Sequence, residues 1–357
     1  MNLDNKRILV TGSPGFIGSY LVIRLLRELS SATVVSLDEM NGYYETSLKE
    51  WRLRQIEKAA SISKSRHIFV RESICNADMI RQLFQVHRFD VVVHLAAQAG
   101  VRHSIKNPGA YINANIIGFY NIIGFYNILE ACREYDVGHL VYASSSSVYG
   151  GNKKVPFSIE DKVDHPVSLY AATKKSDELM AHAYSKLYDI PATGLRFFTV
   201  YGPAGRPDMF YYSAIRTLAQ GGTIRIFNHG NMQRDFTYID DIVEGIVRVM
   251  QKPPERKTGE DGLPVPPYAL YNIGGGKPEN LLEFIRILQE ELVRAEILPS
   301  DYDFDAHREL TGMQPGDVPV TYADSGPLER DFSFKPAVDL RTGLRAFINW
   351  YKDYYGV

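Results

Sequence analysis

The sequence feature that most constrains the fold is a glycine-rich turn near the start of the chain. A short apolar run at residues 8–10 has the character of a buried strand, and residues 19–29 have the apolar spacing of a helix. Gly12, Gly15 and Gly18 lie at or between these two segments. A strand, a glycine turn and a helix in this order predict a dinucleotide-binding site, because the turn lets the backbone approach a pyrophosphate and the helix N-terminus supplies free N–H groups.

An acidic residue, Asp38, ends the second apolar run, 20 residues after Gly18. A carboxylate at this place can bind the ribose hydroxyls of adenosine and repel a 2′-phosphate. The pattern therefore favours NAD over NADP as the cofactor. Capping of the following helix is the alternative interpretation of Asp38.

The order of the remaining segments indicates the fold class. Up to residue 198, apolar runs alternate with helical patterns, which predicts an α/β fold with a doubly wound parallel sheet of the Rossmann type. From residue 199 the pattern changes, and we expect a smaller α/β C-terminal lobe over the carboxyl ends of the strands. We expect residues 1–198 and a returning segment, 237–272, to form the NAD-binding domain, and residues 199–236 and 273–357 to form the substrate lobe.

A second motif carries chemistry. Tyr170 and Lys174 are four residues apart at the start of a predicted helix, so they share one helix face, and Ser145 precedes Tyr170 by 25 residues. Free tyrosine titrates at about 10 and is a poor base at neutral pH, whereas a lysine and a nicotinamide cation both favour the phenolate. The motif predicts Tyr170 as an acid/base; the alternative is a pair of surface or packing residues.

The composition argues against several classes of protein. The formal net charge of the 357 residues is −2, which does not suit a general nucleic-acid or membrane-surface binder. Cys75 and Cys132 are too few for a disulfide framework, and we expect no bound metal. The first residues lack the apolar core of a signal peptide, which indicates a cytoplasmic protein. The apolar stretch at 112–129 contains four asparagines, so we expect a buried helix or a subunit interface rather than a membrane span.

A tandem repeat interrupts one predicted helix. The six residues 115–120 recur unchanged at 121–126. Six residues turn a helix by about 600° and lengthen it by about 9 Å, so the faces before and after the insertion cannot stay in register. We expect a bulge, a looped-out segment or a displaced helix start.

Several motifs together resemble one enzyme family. Residues 11–18, 144–150, 170–174, 196–203 and 234–241 resemble the extended short-chain dehydrogenase/reductases that act on nucleotide sugars. The motifs Arg-Phe-Phe-Thr-Val-Tyr-Gly-Pro, Gly-Arg-Pro-Asp-Met and Met-Gln-Pro-Gly-Asp-Val-Pro resemble the UDP-glucuronate 4-epimerase branch. The resemblance covers essentially the whole chain. It implies an NAD-dependent isomerase of polysaccharide biosynthesis that acts on a UDP-sugar.

The resemblance also implies a role for each matching residue. Tyr170 would be the acid/base at the sugar O4, Ser145 would hydrogen-bond the same oxygen, and Lys174 would hold the nicotinamide ribose. Arg234 would meet the UDP phosphates, and Asp317 would lie near the uridine ribose. The residues around the sugar C6 carboxylate would be Ser146, Ser147, Thr199 and Arg206. The cofactor would be bound by Gly12, Gly15, Phe16, Ile17, Gly18, Asp38, Asn41, Leu95, Ala96, Ala97, Tyr170 and Lys174.

Arg206 makes the sugar prediction specific. An arginine can bind a carboxylate through two parallel hydrogen bonds, and a neutral C6 hydroxyl would leave it underpaired. We therefore expect conversion of UDP-glucuronate to UDP-galacturonate through a 4-keto intermediate; the alternative for Arg206 is a lobe-to-lobe salt bridge. The alternative functions are a 4-epimerase of UDP-glucose or UDP-N-acetylglucosamine type sugars and a non-catalytic NAD-binding regulator.

The chain departs from the family pattern at three places. Ser73 stands where the family commonly has an aspartate that contacts adenine, and Glu39 replaces a frequent asparagine, which together predict weaker cofactor binding. Ala204 stands where this branch often has tryptophan, which predicts a larger sugar pocket. The family further implies a homodimer formed through the helices around 106–135 and 170–187.

Overall fold

The computed structural model describes residues 1–42, 44–97, 105, 122–314 and 316–357. The first copy of the tandem repeat and the first residue of the second copy lie outside these residues, as does most of the apolar stretch at 112–129. The predicted bulge or displaced helix start therefore stays a prediction. Within the described residues, no helix is both long and apolar enough to cross a membrane.

A seven-stranded parallel sheet forms the centre of the described chain. Its strands, in order across the sheet, are β12 (Tyr268–Ile273), β6 (Ala192–Phe197), β5 (His139–Ser145), β4 (Val91–His94), β1 (Arg7–Thr11), β2 (Thr33–Leu37) and β3 (Arg66–Val70). The chain builds outward from β1 first on one side and then on the other, so the strand order reverses between β1 and β4. Ligands of such sheets bind outside the carboxyl ends of the strands at this point.

Helices cover both faces of the sheet, as the doubly wound prediction requires. One face packs on α1 (Phe16–Glu28) and α7 (Ile239–Met250), and the other packs on α3 (Ala77–His87), α4 (Ile122–Glu134) and α5 (Leu169–Tyr188). Because successive side chains of a strand point to opposite faces, β1 places Ile8 and Val10 in the first core and Leu9 in the second. The fully apolar runs in the sequence are thus explained by burial on both faces.

A smaller lobe with its own apolar core lies beside the sheet. Its helices are α6 (Phe210–Ala219), α8 (Leu281–Arg294) and α10 (Leu340–Tyr355), and its strands are β7 (Thr199–Tyr201), β8 (Ile224–Ile226), β9 (Gln233–Tyr238), β13 (Pro278–Asn280) and β14 (Arg308–Leu310). The strands form two small sheets, with the orders β13-β9-β7 and β14-β8. A two-stranded hairpin, β10 (Lys257–Thr258) with β11 (Pro264–Val265), lies between α7 and β12 in the chain.

The chain passes between the two cores more than once. Helix α7 and strand β12 lie in the first core, although β7 to β9 precede them in the smaller lobe. Helix α9 (Gly326–Phe332) also returns, because Leu328 is buried in the first core. In the other direction α2 (Thr46–Ile62) places Leu48 in the core of the smaller lobe. The domain boundaries stay a prediction, and each lobe depends on segments from the other.

Candidate active site

The glycine turn is closed too tightly for any side chain. Gly12 has a positive φ of 73°, and a Cβ atom there would lie 2.7 Å from the backbone nitrogen of Ala96. A Cβ atom at Gly18 would lie 2.2 Å from the carbonyl oxygen of Gly12. The Gly15 N–H donates to that same oxygen at 3.0 Å. The turn therefore presents bare backbone beside the sheet, as a dinucleotide requires.

The start of α1 completes a phosphate site. The N-cap residue is Gly15, and among the described residues no side chain caps the helix there. The N–H groups of the first turn are thus left for an anion, at the positive end of the helix dipole. The residues present fit a dinucleotide such as NAD at this turn.

The predicted ribose acid, Asp38, lies in the loop after β2. Its Oδ1 accepts a hydrogen bond from the Met40 N–H at 2.7 Å and lies 3.6 Å from the Nζ of Lys49. Lys49 also donates to the side-chain oxygen of Asn41 at 2.9 Å. Helix α2 begins at Thr46, so Asp38 does not cap it and the alternative interpretation is wrong. Sequence reasoning missed Lys49, which orients both Asp38 and Asn41.

The three predicted catalytic residues, Ser145, Tyr170 and Lys174, lie on β5 and α5. Ser145 ends β5, and its Oγ accepts a hydrogen bond from the Ser147 N–H at 3.2 Å. Helix α5 is capped by Ser168, which places Tyr170 in the first turn and Lys174 one turn later. The Lys174 Nζ donates to the carbonyl oxygen of Ala143 at 2.9 Å, which fixes the ammonium to the backbone of β5. Ser145, Tyr170 and Lys174 line one cavity.

A buried polar network of Arg196, Glu178 and Ser144 lies next to this site. Arg196 on β6 donates two hydrogen bonds to the Glu178 carboxylate on α5, at 2.8 and 2.9 Å. Ser144 also donates to Glu178, at 2.7 Å. Burial raises the pKa of Glu178, but the hydrogen bonds from Arg196 and Ser144 outweigh burial and hold it below its usual value. The network fixes α5 against the sheet. Sequence reasoning missed it, because its members lie on three separate elements.

The cavity measures about 820 Å³ and extends from the glycine turn to the smaller lobe. All of the residues that the sequence and the resemblance predicted for the site line this cavity, namely Gly12, Gly15, Phe16, Ile17, Gly18, Asp38, Asn41, Leu95, Ala96, Ala97, Ser145, Ser146, Ser147, Tyr170, Lys174, Thr199, Arg206, Arg234 and Asp317. Their individual roles stay predictions. Among the described residues, no group of three or more metal-ligand side chains comes together.

Arg206 has a different partner from the one that the sequence suggested. Its Nε donates to Oδ1 of Asp208 at 3.0 Å, and its Nη2 donates to the other oxygen of the same carboxylate. This ion pair lies within one loop. A salt bridge between the lobes stays an untested alternative. Arg206 and Asp208 both line the cavity. A carboxylate ligand would have to share the guanidinium with Asp208.

Arg234, the predicted phosphate residue, lies on β9 of the smaller lobe. Its Nη1 donates to the carbonyl oxygens of Gln233 and Pro319, at 2.9 and 3.2 Å. Both acceptors are backbone carbonyl groups, and Arg234 lines the cavity. Arg225 on β8 also lines this cavity, and sequence reasoning missed it.

A buried arginine, Arg52, joins the two lobes. Only 1% of its surface is exposed. The guanidinium donates to the carbonyl oxygens of Ala204 at 2.7 Å, Gly205 at 2.9 Å and Pro14 at 3.3 Å, and to the Tyr44 hydroxyl at 2.6 Å. It thus ties the glycine turn to the loop that carries Arg206. Ala204 is fully buried against this arginine and is not among the residues that line the cavity. The larger sugar pocket stays a prediction.

Ser73 is the position that the resemblance associates with adenine. The Ser73 hydroxyl accepts the N–H of Cys75 at 3.3 Å, and Ser73 is not among the residues that line the cavity. Glu72, one residue earlier, does line it. The Glu72 residue therefore adds a carboxylate to the cavity lining, at a position that the family pattern did not indicate.

Comparison with known proteins agrees with this arrangement. Residues 8–274 match the model of the NAD dependent epimerase/dehydratase family. The chain belongs to this family. Protein CapI of Staphylococcus aureus is 46% identical over 98% of this chain and 99% of that protein. UDP-glucuronate 4-epimerase 4 of Arabidopsis thaliana is 42% identical over 98% of this chain and 76% of its own length.

A solved structure shows the same fold. The UDP-glucuronic acid 4-epimerase from Bacillus cereus, crystallised in complex with UDP-glucuronic acid and NAD, matches with a TM-score of 0.82. The two chains are 34% identical, and the match covers 98% of this chain and 100% of that one. The expected family and the α/β fold with a parallel Rossmann-type sheet are thereby confirmed.

Proposed function

We propose that this protein is an NAD-dependent 4-epimerase that converts UDP-glucuronate to UDP-galacturonate. The observation that carries the proposal is that one cavity joins the glycine turn, the Ser145–Tyr170–Lys174 group and the arginines of the smaller lobe. A dinucleotide at the turn and a nucleotide sugar at the smaller lobe would meet at Tyr170. The named relative from Arabidopsis and the Bacillus cereus structure support the same reaction.

NAD, held at the glycine turn by Gly12, Gly15 and Gly18, would supply the redox chemistry of a reversible hydride transfer at the sugar C4. The protein supplies the proton transfer. Tyr170 takes the proton of the sugar O4 as the 4-keto sugar forms and returns it when C4 is reduced, while Ser145 hydrogen-bonds the same oxygen. Lys174, fixed by Ala143, lies one turn after Tyr170 on the same helix face and brings a positive charge to the cavity that both residues line.

Recognition of the acidic sugar is assigned to Arg206, with Ser146, Ser147 and Thr199 around it. The geometry requires the sugar carboxylate to compete with Asp208 for the guanidinium. Arg234 would neutralise the diphosphate, and Asp317 would contact the uridine ribose.

The Arg206–Asp208 pair favours a second candidate, a 4-epimerase of a neutral UDP-sugar. A guanidinium that is already satisfied by its own loop leaves no unpaired charge when the sugar has a C6 hydroxyl. The two candidates share the chemistry at Tyr170 and differ only in what Arg206 binds.

The proposal includes a cytoplasmic homodimer. Four large apolar side chains on α4 and α5 are exposed, namely Tyr126, Leu179, Leu187 and Tyr188, with 45 to 69% of their surface open. Burial of these side chains between two copies would extend the helix pair into a bundle. Light scattering coupled to size-exclusion chromatography gives the mass directly.

The deciding experiment is turnover of UDP-glucuronate, UDP-glucose and UDP-N-acetylglucosamine in parallel, with the C4 epimers separated by NMR. UDP-galacturonate as the preferred product supports the proposal. Preference for a neutral sugar selects the second candidate. The variant Tyr170→Phe should retain NAD and lose turnover of every sugar. Full activity in this variant would contradict the assignment of Tyr170.

A further inference from the structure

Asp177 is a buried carboxylate that the proposed reaction does not use. It lies on α5 with only 2% of its surface exposed. Its Oδ2 accepts a hydrogen bond from the Lys174 Nζ at 3.1 Å, and both side chains are almost fully buried. Its Oδ1 is buried and has no hydrogen-bond partner among the described residues. A carboxylate oxygen left in this state destabilises a fold, so its position beside Lys174 requires an explanation.

The other titratable groups around this pair are already neutral or paired. Burial, aided by the charge of Lys174, lowers the pKa of His94 on β4 to about 3. Burial raises the pKa of Tyr142 on β5 well above its ordinary value, and that of Tyr268 on β12 is raised for the same reason. The charge of Glu178 is bound by Arg196 on β6, and Glu130 on α4 accepts the Tyr184 hydroxyl two turns further along α5.

The Lys174 ammonium, 3.1 Å from Oδ2, favours the charged form of Asp177. Burial raises its pKa to about 6, against the opposing effect of Lys174, and the charge of Glu178 adds to the rise. Above this pH, the Lys174 ammonium faces a full negative charge one turn along the helix. Below it, the same ammonium faces a neutral acid.

We propose that Asp177 is a positioning residue for Lys174 and that its negative charge offsets the effect of the lysine on Tyr170. Lys174 donates one hydrogen bond to Ala143 and one to Asp177, which leaves its remaining hydrogen to point toward the cavity. An asparagine at 177 could accept the same hydrogen bond. The charge is therefore what the carboxylate adds: it keeps the Tyr170 phenol protonated to a higher pH than the lysine alone would.

The size of the effect follows from the helix geometry. Asp177 lies seven residues after Tyr170, about two turns or 10 Å along the axis. At this separation, a unit charge in an environment of effective dielectric constant about 20 to 40 shifts an ionisation by roughly 0.5 to 1 pH unit. Loss of the charge should move the formation of the Tyr170 phenolate to lower pH by this amount.

The test is Asp177→Asn in the NAD-bound protein. Ultraviolet phenolate absorbance is titrated with pH, and the signal of Tyr170 is isolated by subtracting the matching Tyr170→Phe protein in each background. The expected result is a midpoint lower by roughly 0.5 to 1 unit in the asparagine variant, with the acid limb of kcat/KM moved in the same direction. Should the asparagine variant not fold, Asp177→Ser removes the same charge with a smaller side chain.

The matched control is Asp189→Asn. Asp189 lies at the C-terminal end of α5, half exposed and paired with Arg256. It is about 18 Å along the helix from Asp177, so solvent and salt screen its charge and the midpoint should not move. A variant of Asp177 that loses activity with no change in the midpoint would overturn the proposal, since a purely structural role predicts that pattern.

The inference rests on the proposed function, but the two fail in different ways. Absence of turnover with every UDP-sugar refutes the epimerase, while the phenolate titration still measures the effect of Asp177. Turnover with an unshifted midpoint refutes the role of Asp177 and leaves the epimerase standing.

Discussion

Replacement of Arg52 by methionine should weaken the fold and the site together. The guanidinium donates to the carbonyl oxygens of Ala204 and Gly205, and both of these residues are buried. Methionine has a similar length and no donor, so it leaves both oxygens without their charged partner. Each buried acceptor left without a partner lowers the free energy of unfolding by about 1 to 3 kcal/mol. Part of this loss is offset because the methionine side chain carries no charge that must be buried. We expect the free energy of unfolding to fall by about 3 kcal/mol.

The same change should reach the chemistry, because Ala204 and Gly205 directly precede Arg206. A loop that is no longer held by α2 positions Arg206 less well, so kcat/KM for UDP-glucuronate should fall at least about tenfold. Arg52→Lys keeps the charge but not the planar set of donors, and we expect an intermediate loss of about 1 to 2 kcal/mol.

Urea denaturation followed by circular dichroism measures the stability, with isothermal calorimetry for NAD. The control is Arg330→Met, because Arg330 is mostly exposed and pairs with its neighbour Asp331; its loss should stay below about 0.5 kcal/mol. If Arg52→Met unfolds within 1 kcal/mol of the wild type, at an unchanged denaturant slope and NAD affinity, the argument that Arg52 fastens the two lobes fails.

Three further predictions concern recognition, the glycine turn and acid stability. Arg206→Met should lower kcat/KM for UDP-glucuronate by roughly ten- to a hundredfold and leave UDP-glucose unaffected, as measured by NMR turnover. Gly18→Ala should abolish NAD binding, since its Cβ would overlap a carbonyl oxygen at 2.2 Å, whereas the exposed Gly151→Ala should bind normally by fluorescence titration. Hydrogen bonds led by Arg345 lower the pKa of Glu291 from 4.5 to about 2. The charged Glu291 therefore stabilises the fold fully at pH values above the pKa of 4.5 that it has in the unfolded chain, and this stabilisation disappears as the pH falls toward 2. The free energy of unfolding of Glu291→Gln should therefore fall less steeply over that pH range than that of the wild type.

The fold was accessible from the sequence because its signals are local. Apolar runs alternate with helical patterns, and burial on both faces of one sheet explains why the run ending at His94 carries no polar alternation. The glycine turn was equally clear, since Gly12 and Gly18 are required by contacts within a few residues and with one neighbouring strand.

For the candidate site, the sequence predicted which residues line the cavity but not which residues they contact. The resemblance supplied positions that do line one cavity, but not their partners. Arg52 and Ala204 are 152 residues apart, and no local pattern marks such a contact. The Arg206–Asp208 pair is different, because two residues of opposite charge in one short loop could have suggested it. The Glu178–Arg196 bond joins a helix to a strand and needed the packed structure.

The packing of α2 on α10 links early and late segments of the chain. Trp51, one residue before Arg52, makes edge contacts with Trp350 and Tyr354. Synthesis from the N-terminus makes the glycine turn and α2 first, yet α2 lacks this support until α10 has been made. A ribosome-bound chain that stops short of residue 340 therefore holds the residues of the cofactor site but lacks the aromatic contacts that Trp51 makes with α10.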